Sequence, residues 1–120
     1  MAHPRITSTT YPYLPIGVAI RGQQRDGLLA LLDTGFTGHL AIPPSFLNGS
    51  LGLPDTVVDW ELADGSIIHA PVYFGTVEIV GLARVPAAIT MVGNEYVLGR
   101  GILDRFRVTF DHGQQVVVEP

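Results

Sequence analysis

The apolar residues of this chain fall in short runs, among them "YLPIGVAI", "GLLALL", "VVDWEL", "IIHAPVYF" and "VVVE". They are rich in β-branched side chains and bounded by Gly, Pro, Asp and Asn, which is the pattern of strands joined by turns. The 14 glycines and nine prolines leave little room for long helices. Strands are expected near 13–21, 26–33, 40–42, 57–63, 66–75, 76–80, 84–91, 96–98, 107–111 and 115–119. Residues 28–32 read as a buried strand, and Tyr73 and Phe74 as core. In "ADGS" (63–66), Asp-Gly is a favoured centre for a two-residue type I′ turn, so 57–75 reads as a long hairpin. Strands 76–80 and 84–91 read as a second pair, joined across Gly81-Leu82. Two short helices fit. One lies in 43–53, opened by Pro and held to one or two turns by Gly49. The other lies in 100–106, where Ile102, Leu103 and Phe106 share a face. The expectation is one all-β domain over residues 1–120, a closed or partly closed barrel. A chain of 120 residues, 47% apolar, is long enough for one real core and too apolar for disorder.

Composition narrows the functional classes. The net charge is −4, and all seven cations are scattered arginines, so no nucleic acid partner is expected. No apolar run approaches the roughly 18–20 residues of a membrane span. The segment "MAHPRITSTTYPYLP" lacks the apolar centre of a signal peptide, so a cytoplasmic location is the expectation. The absence of Cys excludes disulfides and thiolate chemistry. His3, His39, His69 and His112 stand far apart and no HExxH pair occurs, so neither a metal nor another cofactor is expected.

One stretch invites chemistry. "LLDTGFTG" (31–38) sets a carboxylate straight after an apolar run, where an unpaired charge is expensive to desolvate. Thr34 adds a hydroxyl that donates and accepts, and Gly35 lets the backbone turn sharply and come close to another chain or a ligand. These residues alone leave two readings open: an Asx-type turn closing a strand, or an acid held for catalysis.

The second half of the chain weighs on that choice. "YVLGRGILDRFRVTFD" (96–111) sets an apolar strand before Gly99, then a short helix, then another strand. In order, the chain has Leu31-Leu32, Asp33-Thr34-Gly35, the 57–75 hairpin, Val97-Leu98-Gly99-Arg100 and Ile102–Phe106. This order, over about residues 14–118, resembles the retropepsin-like aspartic peptidases, and "DTGF" resembles their small prokaryotic branch. The resemblance implies a closed β-barrel with one or two short helices, working as a C2 homodimer on a polypeptide substrate.

In such enzymes two carboxylates activate a water without metal or nucleophilic side chain. They share one proton, because like charges about 3 Å apart cannot both ionise. This chain holds a single Asp-Thr-Gly, so the resemblance implies that Asp33 of two subunits meets on the two-fold axis. Thr34 would then brace the loops and Gly35 would admit the substrate backbone. The hairpin would be the flap. Its residues Ala63, Asp64, Gly65, Ser66 and Ile67, with Trp60 and Phe36, would be candidates to contact substrate, and Leu98, Gly99 and Arg100 would support the catalytic loop. His69 reads as a surface residue.

Departures from the family pattern set further expectations. Thr37 stands where retroviral members carry an acid that pairs with the Gly-Arg arginine, so Arg100 is expected to turn to Asp104, one helical turn on. Gly101 replaces an Asp or Asn and is expected to loosen the helix start. The segments 5–10 and 114–120 either interleave with those of a second subunit or, for 115–119, close the barrel within the chain. Two other functional readings stand beside the peptidase. One is a catalytically silent peptide-binding or oligomerisation module on the same fold. The other, a phosphate-binding Asp-Thr-Gly turn as in sugar-kinase-like ATPases, needs two large domains, and the chain has room for one.

Overall fold

A computed structural model describes residues 4–46 and 51–120. The strands are β1 (Ile6–Ser8), β2 (Tyr13–Ile20), β3 (Gln23–Leu32), β4 (Leu40–Ile42), β5 (Thr56–Glu61), β6 (Ile67–Ile79), β7 (Ala83–Met91), β8 (Tyr96–Leu98), β9 (Arg107–Asp111) and β10 (Gln115–Glu119). A 3-10 turn covers Pro44–Phe46 and one short helix, α1, covers Arg100–Leu103. Of the helix expected in 43–53, only that 3-10 turn is helical: residues 47–50 lie outside the described residues, and 51–53 are irregular. No helix among the described residues is long and apolar enough to cross a membrane.

Six strands close a barrel in the order β2-β3-β8-β4-β7-β6, with β6 returning to β2. Alternation along β2 builds the core: Leu14, Ile16, Val18 and Ile20 all point inward and are fully buried. Val77, Ile79, Val85, Ile89, Leu40 and Leu98 meet them from the facing strands. Strand β3 is less buried than expected, since Leu29 is 46% exposed, Leu28 is only partly buried against the core, and Ala30 and Leu32 alone are fully inside it. Phe74 is likewise outside, at 59%, while Tyr73 is buried. Tyr73 and Phe74 take opposite faces of β6, and at this point of the strand only the face of Tyr73 is covered.

Strand β6 does two jobs. Residues 72–79 pair with β7 and belong to the barrel, whereas 67–72 pair with β5 and leave it as a hairpin. The break expected between 75 and 76 is absent. Gly75 lies where β2 crosses β6: a Cβ there would stand 2.2 Å from the Ala19 carbonyl oxygen. The glycine marks a close backbone approach rather than a strand end. The hairpin tip also differs from expectation. Leu62 N–H donates to Ser66 O, Gly65 N–H donates to Leu62 O, and Gly65 has φ +86° while Asp64 stays at negative φ. This is a three-residue loop, a type I turn with a glycine bulge, not a type I′ turn. Asp64 Oδ1 accepts from both the Ser66 N–H (2.9 Å) and the Ser66 hydroxyl (2.6 Å) and sets that shape.

A separate three-stranded sheet runs β1-β10-β9, all antiparallel. Val116 and Val118 of β10 enter the main core. Strand β10 therefore has both edges paired within its own chain, though in this sheet and not in the barrel.

Candidate active site

Asp33 follows the last residue of β3, and its backbone N–H donates to Leu98 O of β8 at 3.0 Å. From there residues 33–39 loop back to β4. Three more backbone bonds stitch this loop to the segment after β8. Gly99 N–H donates to His39 O, Arg100 N–H to Phe36 O (2.7 Å), and Gly101 N–H to Gly38 O. Two of these donors are the first free N–H groups of α1, whose N-cap Gly99 offers no side chain, so the loop carbonyls cap the helix instead. The two motifs legible in the sequence thus form one hydrogen-bonded unit.

Within that unit the side chains are tightly specified. Gly35 N–H donates to Asp33 Oδ1 at 2.8 Å, an Asx turn that fixes the carboxylate. The ring of Phe36 folds over Gly38 and against Gly99, where a Cβ would clash at 2.5 and 2.6 Å. Gly101 does not loosen the helix start. It makes room for His39, whose Cδ2 would lie 2.0 Å from a Cβ at position 101. The Nδ1 atom of His39 accepts the Ala88 N–H of β7 at 2.8 Å, so the proton of the neutral ring sits on Nε2. Sequence reading passed over His39; its place, just ahead of β4 and two residues before a buried strand centre, is a signal only in hindsight of the fold.

Asp33, Thr34 and Gly35 are exposed in the single chain, and they face two hollows. The larger, of about 430 Å³, has Asp33 and Gly35 on its floor. Phe36, Ala41, Trp60, Leu62, Val92 and Val97 make its apolar wall, with Asn94 and Glu95 at one side. The hairpin β5–β6 contributes Trp60 and Leu62 to that wall. Trp60 is its anchor, its ring 5.4 Å from that of Phe36 and tilted by 46°. Alternation puts Trp60 and Leu62 on the cleft face together with Ile68, the partner of Trp60. Ile67 pairs with Glu61 and so faces outward, 61% exposed. Ala63, Asp64, Gly65 and Ser66 form the tip and do not line the cleft. His69 also faces out, its Nδ1 against Asp59.

Thr34 faces the second hollow, about 220 Å³, with Arg100, Asp104, Phe106 and Phe110. Arg100 reaches Asp104 at 3.4 Å, as its spacing suggested, in an exposed pair of small energetic weight. Arg21 ties down the chain entering β5. It donates to Leu51 O and Leu53 O, bonds Asp55 at 3.1 Å and lies over the Tyr73 ring. Asp55 Oδ2 also accepts the Phe74 N–H. That bond first, then Arg21, holds the Asp55 carboxyl below the ordinary range. Among the described residues no group of three or more acidic, His or Cys side chains could hold a metal ion.

No family model matches the chain, and neither does any curated protein sequence. Solved structures do. A retropepsin-like aspartic protease from Rickettsia conorii superposes with a TM-score of 0.66 at 14% identity, over 98% of this chain and 91% of that one. The Simian Foamy Virus (mac) protease superposes with a TM-score of 0.52 at 22% identity, over 75% of this chain and 91% of that one. The fold is retropepsin-like.

Proposed function

We propose that the chain is an aspartic endopeptidase that works as a homodimer, with Asp33 of each subunit forming one half of the site. The observation that carries this is the pairing of an Asx-fixed, exposed Asp33 with an apolar cleft lined in part by the hairpin. A single exposed carboxylate is a weak catalyst, because water solvates it and nothing holds it next to a proton donor. A two-fold axis beside Thr34 brings the second Asp33 to it, and an isologous contact places like residues face to face. The hollow lined by Thr34, Phe106 and Phe110 offers apolar surface for that contact.

In the dimer one Asp33 carboxylate takes a proton from the water lying between the pair. The oxygen attacks the peptide carbonyl carbon, and the protonated Asp33 gives its proton to the carbonyl oxygen. The tetrahedral intermediate breaks its C–N bond as a proton passes to the leaving nitrogen. The Gly35 N–H bond to Oδ1 fixes the orientation of each carboxylate and leaves lone pairs on both oxygens for the shared proton and the water. The hairpin carrying Trp60 excludes water and offers its backbone edge to an extended peptide. The likeness to two solved proteases supports this reading. The test is cleavage of a peptide library by the wild type and by Asp33→Asn. Asparagine keeps the Oδ1 acceptor, so the fold persists while cleavage is lost. Equal cleavage by both proteins removes Asp33 from the chemistry, and a wild type that binds peptides without cutting them is the silent module.

A further inference from the structure

The cleft has an uneven charge. Its two ionisable groups are Asp33 on the floor and Glu95 at the side, and among the described residues no cation lines it. The nearby Arg100 is turned away, into the second hollow with Asp104. Glu95 is exposed, but its carboxylate has a partner. Its Oε1 accepts the Tyr13 hydroxyl at 3.1 Å, a bond that crosses β3 and fixes the carboxylate beside the cleft mouth. The wall next to it is Val92, Val97 and Leu62, so the charge acts beside low-dielectric surface, where a field is focused.

Resting on the peptidase reading for the site itself, we infer that Glu95 is a specificity residue that selects a peptide with a cationic side chain close to an apolar one. The apolar side chain fills the space between Phe36, Trp60 and Val97, and the guanidinium or ammonium group of a neighbouring residue reaches the Glu95 carboxylate. Arg fits better than Lys, since its planar fork can take both carboxylate oxygens while Tyr13 keeps its bond. Glu95 is exposed in the single chain, so the effect of the pair is moderate and falls with salt.

The experiment uses full-length Asp33→Asn, in which Glu95 is the remaining charge of the cleft and turnover is not needed. Three labelled peptides share an apolar centre and differ only in one flanking residue: Arg, Gln or Glu. Fluorescence anisotropy gives their Kd values. The Arg peptide should bind about two- to fivefold tighter than the Gln peptide at low salt, and the Glu peptide weakest. Adding Glu95→Gln should abolish the ranking, and Glu95→Lys should invert it. Glutamine keeps the acceptor for Tyr13, so loss of the ranking reports charge rather than loop collapse. Equal Kd values for the three peptides, a ranking that survives Glu95→Gln, or no binding of any of them would overturn the inference. Cleavage by the wild type is read separately. A preference for Arg without cleavage sinks the peptidase reading and keeps this one, whereas cleavage without any preference does the reverse.

Discussion

The ring of His39 occupies the space that any side chain on residue 101 would need, while its Nδ1 holds the Ala88 N–H. This contact locks the loop carrying Asp33 to both α1 and β7. Gly101→Ala should force the ring away and cost ~1–3 kcal/mol, the usual range for overpacking a filled site. The urea midpoint measures it. Residues in contact do not add, so the His39→Ala, Gly101→Ala double variant should lose less than the sum of the singles. A Gly101→Ala protein with the wild-type midpoint contradicts the lock.

Trp60 is the one side chain of β5 that is even partly buried, and Phe36 is its ring partner. Trp60→Ala should release the hairpin from the loop carrying Asp33, losing ~0.5–1.5 kcal/mol from the ring pair beyond the area it covers. Amide exchange should speed up across β5 and residues 67–71 and stay unchanged across β2 and β7. Uniform exchange rates before and after substitution would show that the hairpin is held by something else.

Acid should weaken the fold through Asp55. Its folded pKa is lowered, first by the Phe74 N–H and then by Arg21. The stability it contributes is complete above the unfolded carboxylate value of about 3.9 and fades as pH falls toward the lowered folded value. Asp64, held down by the Ser66 hydroxyl and N–H, and Asp111, held down by His112 and Gln115, act in the same sense. The urea midpoint of the wild type should therefore drop below about pH 4. Asp55→Asn should have a lower midpoint at pH 7 and a flatter acid limb. Parallel pH profiles for the two proteins would remove Asp55 from the account.

Strand β1 pairs with β10 of its own chain, and the buried Ser8 hydroxyl donates to Tyr13 O at 2.6 Å. Ser8→Ala should cost ~1 kcal/mol of fold stability and leave the dissociation constant of the proposed dimer, measured by sedimentation, where it was. A weakened dimer with unchanged fold stability would mean that the terminal strands cross between subunits.

Most strands were legible because one face of each is buried and the turns carry Gly or Asp. The errors share a cause. Gly75 looked like a strand end because a sequence does not show a second strand passing over it, and Gly101 looked like a weak helix start because His39, 62 positions earlier, is its true neighbour. Phe74 looked like core because hydrophobicity does not report which face of β6 it takes. At the site, Asp33, Gly35, Phe36, Leu98 and Gly99 were readable from two ordered motifs. Leu62, Val92 and Glu95 were not, since only the closed barrel carries them to the cleft. Ile67 was placed there by proximity to the tip, and strand alternation turned it outward.

The account rests on two chains sharing one site, and mixing tests that directly. Wild-type and Asp33→Asn chains are combined at fixed total concentration, allowed to exchange, and assayed for peptide cleavage. If each site needs an Asp33 from both subunits, activity follows the square of the wild-type fraction, about one quarter at equal mixing. Activity that falls in simple proportion, to about one half, would mean that each chain cleaves alone and would contradict the account.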